Sequence, residues 1–142
     1  MSSIEARLQN LEDREAIREA VAAYSLRILN HEFASIPELF CHDGIFHIAA
    51  ANLNVAGQEK LKAFFGMMRP GVAFPFVQTS AITIDEDEAT HVGVMQNVAP
   101  TAEAPTYLGI YEDRLRRVEG RWLFAERCFR FVLNDPYAPK DQ

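Results

Sequence analysis

The sequence predicts an α+β domain in which helices cover one face of a single curved sheet. Three observations carry that expectation. Three segments within residues 3–69 place apolar side chains at helical spacing. A strand follows the second of them, and residues 74–131 then read as four strands in meander. Finally, no internal repeat, low-complexity tract or linker divides the chain. Residues 1–142 are therefore read as one domain, with a core over 10–132 and a loosely held tail from 133.

The first helix is expected over residues 3–29, with Ser2 and Glu5 at capping-box spacing. Ile4, Leu8 and Leu11 form a first stripe, and the polar run Glu12 to Glu15 is a candidate break. Ile17, Ala20, Val21, Tyr24 and Ile28 then recur on one face, which puts Tyr24 on the core side. A second short helix, Phe33 to Cys41, packs Phe33, Ile36, Leu39 and Phe40, with Pro37 tolerable in its first turn. After the Asp43-Gly44 turn, Ile45 to Ala50 reads as a strand. Gly57 precedes a third helix whose Leu61, Phe64, Phe65 and Met68 share a face, and Pro70-Gly71 ends it. Strands Phe74–Ile84 and Thr90–Val98 flank the acidic turn Asp85 to Glu88. Beyond Pro100 to Pro105 lie TYLGIYEDRL and RWLFAERCFRF, joined through RRVEG.

Composition narrows the function. A content of 49% hydrophobic and 24% charged residues is ordinary for a globular chain. The net charge of −6 offers no basic face, so nucleic acid is excluded as an expected partner. Cys41 and Cys128 have no metal-ligand spacing and suggest reduced, buried thiols. The charged, amphipathic N-terminus is unlike a signal peptide, and no apolar run approaches the roughly 18 residues that span a membrane. A soluble, cytoplasmic protein is expected.

The last hairpin has two candidate registers. A three-residue loop with a bulge pairs Arg117 with Arg121, hence Tyr111 with Arg127 and Asp113 with Ala125. Tyr111, Arg127, Phe129 and Phe131 then share one face. Glu112, Arg114, Trp122, Phe124 and Cys128 make the other, a mixed surface suited to a subunit interface. A two-residue loop instead pairs Glu112 with Arg127 as an exposed ion pair.

The element order, "LFCHDGIF" after two helices, "TSAITIDEDEA" and "GIYEDRLRRVEGRWLFAER" resemble the SnoaL-like branch of the NTF2-like superfamily over about residues 10–132. The resemblance implies a cone-shaped α+β barrel, a curved and mostly antiparallel sheet wrapped by about three helices around one apolar pocket. It also implies a homodimer or homotrimer, and chemistry that mostly needs no cofactor. Relatives include ketosteroid isomerases, scytalone-type dehydratases, polyketide cyclases and the small subunits of ring-hydroxylating dioxygenases. Their pocket tyrosine falls on Tyr24, and an arginine of the last strand on Arg127. Their aspartate–histidine dyad falls on Leu29 and Phe76, and the isomerase base on Ile48, so the usual ionisable groups are replaced.

Tyr24 is read either as a donor to a developing oxyanion or as a core tyrosine satisfied by backbone. Arg127, costly to bury alone, must meet Asp113, Glu126, solvent in a cavity or a ligand oxygen. Asn30 at the helix mouth orients a ligand or caps the helix. His31 beside it and His91, on one face with Met95 and Asn97, are candidate proton carriers. His47, alternating with Phe46 and Ile48, is expected to face outward, and His42 and His47 lack a third metal ligand. The expected lining is Phe46, Ile48, Phe65, Phe76, Met95, Tyr111, Phe129 and Phe131, suited to a flat ring or to a dry core. The leading expectation is a cofactor-independent lyase, dehydratase or isomerase acting on a hydrophobic aromatic or polycyclic molecule. The alternative is a ligand-binding protein or partner subunit.

Overall fold

A computed structural model describes residues 3–71, 73–99, 101–103 and 106–139. Helix α1 (Ile4–Leu29) is followed by a 3-10 segment (Phe33–Leu39) and strand β1 (Phe40–Ile48). Strand β2 (Leu53–Ala56), helix α2 (Gln58–Gly66), and strands β3 (Pro75–Asp85), β4 (Glu88–Asn97), β5 (Tyr107–Val118) and β6 (Arg121–Leu133) complete the order. The strands form one curved, unclosed sheet in the order β2-β1-β6-β5-β4-β3. All neighbours are antiparallel except β1 and β6, which run parallel. β2 is an addition to the expected set: four residues after a 3-10 turn carry too little alternation to register as a strand.

Helix α1 runs unbroken through the polar stretch that was a candidate break. Ser3 caps it by accepting from the Ala6 amide at 3.0 Å, while Ser2 lies outside the described residues. Ile17, Val21, Tyr24 and Ile28 bury one face, as their spacing requires. Asp13 continues that face instead of breaking it. Its carboxylate accepts two bonds from Arg117, at 2.9 and 3.0 Å, one from Trp122 Nε1 at 3.1 Å and one from Gln9 at 3.0 Å. Burial alone would raise the Asp13 pKa, but the bonds from Trp122, Arg117 and Gln9 together hold it below the ordinary carboxylate value.

A depressed carboxylate stabilises the fold above its unfolded pKa and loses that contribution as pH falls through the folded one. Asp13→Asn is therefore expected to lower stability at pH 7 by about 1–3 kcal/mol. Its deficit relative to the wild type should shrink below about pH 4. Urea titrations followed by Trp122 fluorescence measure both, and a deficit independent of pH would contradict the assignment.

The β5–β6 hairpin differs from both candidate registers. Glu119 and Gly120, at φ 51° and 78°, make a two-residue turn that pairs Val118 with Arg121. Four pairs later the register slips: Leu115 opposes Phe124, whereas Arg114 opposes Glu126, leaving Ala125 as an extra residue on β6. Asp113 therefore opposes Arg127, and Tyr111 opposes Phe129. The bulge keeps Tyr111 and Arg127 on one face, though not as direct partners. It also turns Trp122 and Phe124 inward, at 6% and 0% exposure, so they form no part of an outer interface. The outer face carries the pairs Arg114–Glu126 and Arg130–Glu112, each at 2.6 Å.

The core lies between α1, α2 and the concave face of the sheet, with Phe65 and Phe124 fully buried. Burying each such ring contributes roughly 1.5–3 kcal/mol. Residues 134–139 are held over one end: Asn134 donates to the Thr106 carbonyl at 2.8 Å and the Tyr137 ring lies 5.8 Å from that of Phe131.

Candidate active site

Inward residues of α1, α2 and the sheet line a chamber of about 360 Å³, to which Pro136 and Tyr137 also contribute. Alternation along each strand aims one side chain in two at it. Of the expected set, Tyr24, Phe46, Ile48, Phe65, Met95, Asn97, Tyr111, Phe129 and Phe131 line it. Tyr107, Phe64 and Tyr137 line it too and were missed; Tyr107 is two strand positions from Gly109 and four from Tyr111, so alternation would have found it. Asn97 is partly committed, its Oδ1 accepting from the Phe74 amide at 2.9 Å. Among the described lining residues none is His, Asp, Glu, Lys or Arg.

Arg127 lies behind the chamber floor. Its guanidinium carbon sits 3.6 Å from the centroid of the Tyr111 ring, 4.3 Å from Tyr24 and 4.7 Å from Phe124. The side chain is fully buried, its Nε is 3.4 Å from Asp113 Oδ1, and none of its three nitrogens has a hydrogen-bond acceptor among the described residues. Asp113 is thus its anionic partner, and Glu126 is engaged with Arg114 on the outer face. The expectation that Arg127 contacts a ligand oxygen is corrected accordingly: the rings of Tyr24 and Tyr111 stand between.

Tyr24 and Tyr111 meet edge to face at the floor, their ring centroids 6.1 Å apart. Burial holds the Tyr24 phenol well above its ordinary value, the Arg127 charge opposing the rise. Tyr111 is raised by the same desolvation, and the guanidinium under its ring is the leading influence in the other direction. Tyr107, half-buried beside Tyr111, is pushed up to about 12. The floor therefore presents neutral phenols with a cation under them. Such groups donate to a ligand oxygen that carries or acquires negative charge.

Four candidates lie outside the chamber. Asn30 is the exposed C-cap of α1, its amide bonded to the Leu26 and Ile28 carbonyls, and His31 follows at φ 60°, exposed and stacked on Phe33. Both end the helix and neither reaches the lining. Phe76 is 69% exposed and lies with Leu29 along a separate cleft between α1 and β3. β3 is an edge strand, and alternation turns Phe76 away from the concave face. His91 is fully buried, Nδ1 2.8 Å from Asp113 Oδ2 and Nε2 3.0 Å from Thr79 Oγ1. Among the described residues no group of three or more His, Cys, Asp or Glu could hold a metal ion, and no helix is long and apolar enough to cross a membrane.

The six-stranded curved sheet wrapped by helices has the NTF2-like fold. An NTF2-like protein with a cystatin-like fold from Novosphingobium aromaticivorans superposes with a TM-score of 0.82 at 20% identity, over 93% of this chain and 92% of that one. The SnoaL-like domain family matches residues 9–128, and the chain belongs to that family. A candidate scytalone dehydratase from Novosphingobium aromaticivorans is similar at 26% identity and a TM-score of 0.71, over 92% and 91% of the two chains. A ketosteroid isomerase-like protein from Erwinia carotovora is similar at 14% identity and a TM-score of 0.67, over 84% and 96%. No curated protein sequence matches.

Proposed function

We propose that the protein is a cofactor-independent enzyme of the lyase, dehydratase or isomerase kind, acting on a hydrophobic aromatic or polycyclic molecule held in the chamber. The observation that carries this is the adjacent Tyr24 and Tyr111 side chains in the lining, both backed by the buried Arg127 guanidinium. The pair would hold the oxygen of an enol- or phenolate-like intermediate, and Arg127 would stabilise its charge through the rings. The likeness to a candidate scytalone dehydratase supports the same reading. With Leu29, Phe76 and Ile48 at the family's ionisable positions, the proton goes to water or to the substrate's own group. A homodimer or homotrimer is proposed, and sedimentation tests it.

If the phenol pair receives an oxygen, 2-naphthol binds at least about tenfold more tightly than naphthalene. Calorimetric competition measures this, and equal affinity overturns the assignment. A second reading, a carrier or a silent partner subunit, is favoured by the lack of His, Asp, Glu or Lys among the described lining residues. A cognate ligand recovered unchanged after long incubation supports it, and conversion of that ligand excludes it.

A further inference from the structure

We propose that the cleft between α1 and β3 is a second site, in which Thr79 is an activated hydroxyl nucleophile for aryl and short-chain acyl esters. Thr79 lines this cleft of about 610 Å³. Its Oγ1 is 3.0 Å from His91 Nε2, and His91 Nδ1 is 2.8 Å from Asp113 Oδ2. That is the hydroxyl–imidazole–carboxylate order of an acyl-transfer triad, which is recognised by geometry and roles. In the tautomer that donates Nδ1–H to Asp113, His91 offers the Nε2 lone pair to the Thr79 hydroxyl.

The arrangement is built into the sheet. A Cβ on Gly93 would lie 2.8 Å from His91 Cε1, so glycine there makes room for the ring. A bulge between Thr79 and Ala81 interrupts the β3–β4 register beside the nucleophile. Ser25 lines the same cleft, and its buried Oγ has no hydrogen-bond partner among the described residues, which leaves an unused donor in the cleft wall. Val21, Ala22, Leu26 and Val77 give the cleft apolar walls for an acyl or aryl group.

The steps balance. Thr79 Oγ1 bonds to the carbonyl carbon as its proton passes to His91 Nε2. The carbon–oxygen bond to the leaving group breaks, and the alcohol departs with that proton. Water then attacks the acyl–threonine, giving its proton to His91. The Thr79 oxygen leaves the acyl carbon and recovers the proton, so ester and water yield acid and alcohol. Thr79 and His91 line no part of the aromatic chamber, so this inference stands apart from the function proposed there.

The test is p-nitrophenyl acetate with the intact protein. A burst of p-nitrophenolate stoichiometric with protein is expected, with one acetyl adduct mapping to Thr79. Thr79→Val, nearly isosteric on a half-buried edge strand, should reduce the acylation rate at least about 10²-fold, while Thr79→Ser retains burst and adduct. No burst, an adduct elsewhere, or acylation of Thr79→Val at the wild-type rate overturns the assignment.

Discussion

Asp113→Leu should lower unfolding free energy by about 3–5 kcal/mol, a larger loss than any other single change considered for this fold. The variant strands a guanidinium at 0% exposure with no anion beside it and removes the acceptor of His91 Nδ1. The three aromatic faces around Arg127 give about 0.5–2 kcal/mol each and do not replace a carboxylate. Arg127→Met should be milder, because Asp113 keeps the His91 bond and methionine fills the slot between the tyrosines. The double variant should lose less than the sum of the two, since each single change leaves the other charge uncompensated. Denaturant midpoints at constant m-value give all three quantities. A loss under about 1 kcal/mol for Asp113→Leu would show that the guanidinium finds another partner.

Much of this fold was legible because its signals are local. The α1 stripe from Ile17 to Ile28 and the strand alternation around Tyr111 and Phe129 depend only on near neighbours. What escaped depends on distant ones. Asp13 looks like a polar interruption until Arg117 and Trp122, 104 and 109 residues later, are brought to it. The Ala125 bulge has no sequence signature, yet it decides that Trp122 and Phe124 point inward. Tyr111 and Arg127 were placed on one face from a register two residues off, because turn and bulge each move the alternation by one. The candidate site divides in the same way. The aromatic lining follows from alternation, whereas the Thr79–His91–Asp113 series needs three strands in register and could not be read from any one of them.

Tyr111→Phe should weaken binding of 2-naphtholate to the chamber roughly 10–100-fold and, for a substrate that is turned over, reduce turnover about 10²–10³-fold. Tyr24→Phe should also reduce turnover about 10²-fold or more, because it removes the other phenol donor of the floor. Combining the two should be little worse than either, as for groups that act as a unit. Ordinary additivity would instead mean that each tyrosine binds independently. The pH dependence supplies a separate check. Burial raises both phenols above their ordinary value of 10.0, so both remain protonated donors through neutral and mildly alkaline solution. Affinity should therefore rise with pH as the naphthol itself ionises, and it should fall only when a floor tyrosine loses its proton. Arg127→Met removes the cation beneath the rings, which should selectively weaken the ionised ligand and leave the neutral one nearly unchanged. Equal losses for both forms would mean that Arg127 serves only to shape the floor.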